Sequence, residues 1–196
     1  MRTKGPAHAE TRQQILEVAR KLVLRDGHAK LSLREVARES GFSAPSLYEY
    51  FPNKQAIVDA LAAQVAGKLF AALGKSLEGV RSERVALVAL GTAYVAWARK
   101  HPQDFLLMFS QLGSKRRSTS QAPAEASPYS LVLGAATRAR AAGVVHGSPE
   151  TIAYAVWSAA HGMAMLQLTH LAGFDADFET TDRATLDALI AGFAPR

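Results

Sequence analysis

Between residues 32 and 54 the chain reads SLREVARESGFSAPSLYEYFPNK, and its capping and breaking signals stand so close together that only very short helices fit between them. Ser32 precedes Glu35 by three residues, the spacing of a capping box, in which hydroxyl and carboxylate each satisfy a backbone N–H at a helix start. Leu33, Val36 and Ala37 follow at helical spacing, and Gly41 tolerates the left-handed backbone that ends a helix in a tight turn. Phe42 is the apolar residue of that turn. Ser43 caps the next helix, and Pro45 sits in its first turn, where a missing N–H does little harm. Leu47 and Phe51 recur four residues apart and give that helix its buried side, while Pro52 and Asn53 stop it and start another. Ala37 is small enough for the second helix to cross closely over the first.

Two short helices crossing through a glycine turn match the helix-turn-helix, whose second helix enters the DNA major groove by its N-terminal end. That end offers Ser43, Ala44, Pro45, Ser46 and Tyr48. Hydroxyls bond bases or phosphates, and apolar Ala44 and Pro45 touch thymine methyls. Arg34, in the first turn of the preceding helix, reaches a base edge or a phosphate. Tyr50 and Lys54 suit phosphate contacts, which position without specifying sequence.

The charge balance agrees with a nucleic-acid partner. Residues 1–55 hold ten Lys and Arg against six Asp and Glu, a balance of +4 out of the chain's +6. Arg2 and Lys4 lie in a tail, 1–10, that reads either as a DNA-touching arm or as a frayed terminus. Other classes fail on inventory. There is no cysteine, hence no disulfide framework, Cys-based zinc site or thiol nucleophile. No Gly-rich phosphate loop or paired-carboxylate constellation stands out. The histidines at 8, 28, 101, 146, 161 and 170 are scattered, so no metal site, no cofactor and no enzyme is expected. No signal peptide leads the chain and no uninterrupted apolar run reaches a membrane span of about 18 residues, so a cytoplasmic protein is expected.

The remaining chain reads as helix throughout. The expected helices cover about 11–25, the two short ones, then 53–77, 82–99, 105–112, 127–142, 148–171 and 182–193. A polar loop with prolines and three consecutive basic residues fills 113–127. The fold class is all-α: an N-terminal arm and helix-turn-helix domain over 1–52, and a C-terminal helical domain over 53–196.

At this point the residues carry a resemblance. The segments TRQQILEVARKLVLRDG and LSLREVARESGFSAPSLYEYFPNKQAIVDAL, within 11–61, resemble the N-terminal domain of the TetR family of bacterial transcriptional regulators. The turn at 41–43, Leu47-Tyr48-x-Tyr50-Phe51 and Asn53-Lys54 keep the family's order and spacing. The resemblance implies that Ser32 bonds a phosphate, that Arg34 reads a base, that 43–48 is the recognition helix, and that Tyr50 and Lys54 bind phosphates. Ala44 and Pro45 depart from the longer polar side chains of some members and leave this helix poor in base readers.

The segment containing Trp157, His161 and Gly162 resembles a C-terminal subgroup of the family named WHG for those three residues. The helix around it is apolar nearly all round, which demands burial on more than one side. A core on one side and a partner subunit on the other satisfy it, with Ala159, Ala160 and Gly162 allowing close approach. Leu186, Leu189, Ile190 and Phe193 of the last helix are expected to complete a four-helix homodimer interface on a palindromic operator. The effector pocket is expected among helices five to eight of each subunit. Its candidate lining is Phe70, Tyr94, Trp97, Phe105 and Met108, with Phe109, Tyr129, Trp157, His161 and Met165. These side chains suit a small, mostly apolar or aromatic ligand that releases a repressor from DNA. The alternative is an architectural DNA-binding dimer that answers to no ligand.

Overall fold

The computed structural model describes residues 6–27, 29–109 and 126–195. They form nine α-helices and no strand among the described residues: α1 (Pro6–Asp26), α2 (Leu33–Ser40), α3 (Ala44–Tyr50), α4 (Lys54–Ser76), α5 (Glu83–Lys100), α6 (Pro102–Phe109), α7 (Pro128–Ala141), α8 (Pro149–Leu168) and α9 (Phe178–Ala191). The all-α expectation holds. Arg2 and Lys4 of the expected arm, His28, and residues 113–125 of the expected basic loop lie outside the described residues. From Pro6 onward the supposed tail is the first turn of α1 rather than an arm.

The helix ends follow local chemistry. Ser32, Ser43, Ser82, Ser127 and Ser148 each cap a helix with the side-chain oxygen, accepting a backbone N–H three residues on. The reciprocal capping box occurs at Ser127 and Ser130. At Ser32 only half of it forms: the Oγ accepts from Glu35 N–H at 3.2 Å, but the Glu35 carboxylate turns to Arg25 at 2.9 Å, a charge-assisted partner that outcompetes the helix start. Gly41, at φ 74°, ends α2 in a Schellman turn, with Phe42 N–H on the Ala37 carbonyl and Gly41 N–H on that of Arg38. The last helix starts earlier than expected. Asp177, not Asp182, is its cap, accepting from Thr180 N–H at 3.1 Å, and this carboxylate is held below its ordinary range by those bonds.

The chain forms two compact units, 1–65 with 106–112, and 66–105 with 113–196. The division falls inside α4, whereas the sequence places a boundary at 53. In the first unit Ile15, Leu16, Ala19 and Leu22 of α1 pack with Val36, Leu47, Phe51, Ile57 and Leu61, and Leu107 of α6 joins them. Arg12 lays its guanidinium over the Phe51 ring at 4.7 Å. In the second unit α5 is the central helix, packed against α7, α8 and α9. By length and composition α4 could cross a membrane. It is an alanine-rich helix whose stripe at Ile57, Leu61, Val65, Leu69 and Leu73 is buried in the fold.

Candidate nucleic-acid interface and aromatic cluster

One end of α3 is open to solvent. Leu47 is fully buried and Phe51 nearly so, while Ser43, Ala44 and Pro45 are exposed and Tyr48 is 54% exposed. The helix is anchored by one face and shows the start of the other to solvent. Ser43 Oγ accepts from Ser46 N–H at 3.2 Å and lies 2.9 Å from Ser46 Oγ, so the two hydroxyls are ordered by each other at the helix start. Ser32 and Arg34, at the start of α2, are also exposed.

Besides Ser32, which caps α2, the expected phosphate binders Lys54 and Tyr50 also have structural partners. Lys54 Nζ donates to the Ala29 carbonyl at 2.8 Å and so ties the start of α4 to the turn before α2. An ammonium has three donors, so this bond leaves others free to act. Tyr50 is half-buried and stacks on His8 of α1 with ring centroids 4.5 Å apart, and the Phe42 ring lies tilted to it at 6.4 Å. His8 was not anticipated from sequence, because its stack depends on α1 starting at Pro6.

The second cluster lies in the second compact unit. Tyr94 on α5 meets Phe105 edge-on at 5.5 Å, Trp157 at 5.0 Å and His161 at 6.3 Å, and Trp157 in turn meets Tyr129 edge-on at 5.8 Å. The Tyr94 hydroxyl is 3.0 Å from His161 Nδ1. Burial pushes the phenol up and the imidazole down, favouring the neutral form of each, and the imidazole tautomer sets which of the two donates. Five of the ten residues expected around an effector therefore come together. The others stand elsewhere. Trp97 stacks on His101 at 4.9 Å, Phe70 and Met165 are half-buried, and Met108 and Phe109 belong to the first compact unit.

The cluster is closely packed, and an open cavity of about 310 Å³ lies apart from it, between α5 and α9. The last helix also departs from expectation. Leu186 and Ile190 are buried in the chain's own core, on the side of α9 that packs against α5 and α8. α9 shows Glu179 and Arg183 to solvent in its first half and only small residues, Ala184, Thr185, Ala188 and Ala191, beyond them. On α8, Tyr154 and Leu166 are exposed, and a Cβ built on Gly162 meets nothing within 4 Å.

Comparison with known proteins agrees with this arrangement. Residues 15–61 match the model described as bacterial regulatory proteins, tetR family, and 87–193 match the tetracyclin repressor-like C-terminal domain. A nicotine-responsive transcriptional repressor of helix-turn-helix type, HdnoR of Paenarthrobacter nicotinovorans, is 30% identical over 90 residues, 46% of this chain and 45% of the relative. The match thus spans less than half the length of that curated relative. A solved protein of unknown function from Rhodococcus sp. RHA1 is 31% identical, with 94% of this chain and 96% of that one covered and a TM-score of 0.79. The regulator FadR of Bacillus subtilis, solved with stearoyl-CoA, shares the fold at 14% identity, with 92% and 98% covered and a TM-score of 0.69. With a C-terminal match over more than half of its length and the N-terminal DNA-binding match before it, this chain belongs to the TetR family of bacterial transcriptional regulators.

Proposed function

We propose that the protein is a homodimeric repressor that binds a palindromic operator through α3 and is released by a small, mostly apolar or aromatic ligand. The observation that carries the reading is the exposed start of α3, where Ser43, Ala44, Pro45 and the outer face of Tyr48 stand open to solvent although Ser43 also caps the helix. Ser46 and Tyr48 supply hydroxyls to base edges, and Ala44 and Pro45 meet thymine methyls. Ser32, Arg34, Tyr50 and Lys54 hold the phosphates, Tyr50 oriented by His8 and Lys54 by Ala29.

The dimer forms through α8 and α9. The small residues exposed on α9 after Arg183 and the open flank of Gly162 permit close helix approach, and exposed Tyr154 and Leu166 supply the apolar area that association needs. A two-fold pair carries two copies of α3 to successive turns of DNA. The effector contacts Tyr94, Trp157 and His161. A ligand that opens this closed cluster binds one conformation better than the other and so shifts the population away from DNA.

Selection of bound duplexes from random sequence by the purified protein, at a fixed salt concentration, tests this. The reading expects enrichment of an inverted repeat with half-sites about one helical turn apart. Enrichment of a single unpaired half-site would remove the dimeric part of it, and no enrichment at any salt concentration would remove the whole. Screening for compounds that release the selected duplex then tests control. No response to any apolar or aromatic compound would favour a dimer that answers to no ligand.

A further inference from the structure

Between α5 and α9 the second compact unit leaves a cavity of about 310 Å³, within the range that holds small organic ligands. Its floor is one face of α5, made of Ala89, Thr92, Ala93 and Ala96. Side chains this short cannot reach α9, and the gap between the helices is the consequence. Its charged groups are of both signs: Arg99 from α5, and Glu179, Asp182 and Arg183 from α9.

Asp182 is the unusual member. It is only 4% exposed, and its carboxylate is held by a neutral partner, Gln167 Nε2, at 2.8 and 3.1 Å. The same Gln167, 8% exposed, keeps Oε1 buried without a partner. A buried carboxylate met by one amide, beside an unsatisfied buried oxygen, forms an acceptor-rich cluster short of donors. Arg99 acts on Asp182 electrostatically and pulls against the rise that burial imposes on it, yet among the described residues neither Arg99 nor Arg183 forms an ion pair. Glu179 forms none either. Opposite charges therefore face one cavity without meeting.

We propose that this cavity is a small-molecule site separate from the aromatic cluster, taking a compact zwitterion whose cationic group lies on Asp182 and Glu179 and whose anionic group lies on Arg99 and Arg183. The polar groups decide the class. An apolar ligand would leave four charges unmet, and a simple anion or cation would meet half of them and be repelled by the rest. The site stands on α9, the helix read above as part of the dimer interface, but its occupancy does not depend on that reading.

The test is calorimetric titration of the full chain with a ladder of ω-amino acids, from glycine through β-alanine and γ-aminobutyrate to ε-aminocaproate. Their charges are alike and only the separation changes. Saturable binding that peaks at one length is expected. Asp182→Asn, which keeps a polar partner for Gln167, should weaken that binding by about thirty-fold or more, as loss of one side of a desolvated charge pair does. Arg99→Met should do the same from the half-exposed wall, where folding is not at stake. Ala93→Leu fills the floor and should abolish it, whereas Tyr94→Phe in the aromatic cluster should leave it unchanged. No binding by any member of the ladder overturns the proposal, and so does binding that survives both Asp182→Asn and Arg99→Met.

Discussion

The start of α3 and the aromatic cluster around Tyr94 stand in opposite relation to the fold. On α3 the anchoring face, Leu47 with Phe51 beyond it, is separate from the exposed face of Ser43, Ala44, Pro45 and Tyr48. Around Tyr94 the same side chains would have to serve both purposes: Tyr94 and Phe105 are buried core and belong to the cluster proposed to meet an effector. A substitution in the first region can alter binding and leave stability alone. A substitution in the second alters both. Regions of the first kind give clean functional tests, and regions of the second kind need a stability measurement beside every binding one.

The sharpest way to break this contrast is Tyr94→Ala. Removing a ring that is 2% exposed and touches Phe105, Trp157 and His161 should destabilise the chain by about 3–5 kcal/mol in urea unfolding. Unaltered stability would place the cluster outside the core and dissolve the contrast. Next in size is Gly91→Ala. A Cβ there falls 2.7 Å from Leu186 Cδ1 and 2.8 Å from Cδ2, and Leu186 is fully buried with little room to move, so a loss of about 1–3 kcal/mol is expected by thermal unfolding.

On the DNA side, Lys54→Ala should weaken binding to every duplex alike and reduce the salt slope of log K by about one phosphate. Its bond to the Ala29 carbonyl predicts a small stability loss as well. A loss confined to the selected sequence would contradict a phosphate role. The smallest effect is the pH response of His161. Its folded pKa lies below the ordinary imidazole value, so its neutral state supports folding above pH of about 6.5, and that support is lost as pH falls through the lower folded pKa. His161→Gln should flatten this part of the stability profile. An unchanged profile in the variant would mean that the ring is not held neutral by the cluster.

How much could be read from the chain follows the same division. The helix-turn-helix was legible because it is written in local chemistry: Ser32, Gly41, Ser43 with Pro45, and Asn53 each act within a few residues of their position. Glu35 shows the limit, since its partner Arg25 lies ten residues back and takes the carboxylate from the expected capping box. The start of α9 was misplaced for a related reason. Several aspartates stand before it, and what marks Asp182 as a buried residue rather than a cap is Gln167 on another helix. Leu186 and Ile190, two of the residues expected at a subunit interface, form core instead, because the partners that cover them stand on other helices. In the aromatic cluster, spacing says that Tyr94, Trp97, Trp157 and His161 are inside, but which of them meet is set by helix packing. The α5–α9 cavity was not legible at all, because it arises from short side chains on one helix facing charged ones far along the chain.

The most direct test of the central claim compares wild type with Tyr48→Ala on a selected duplex and on a random one at the same salt concentration. The account predicts a specific-to-random affinity ratio lower by about ten-fold, as for loss of one base contact, with an unchanged unfolding temperature. An unchanged ratio in a stably folded variant would contradict the reading of α3 as the element through which this protein recognises sequence.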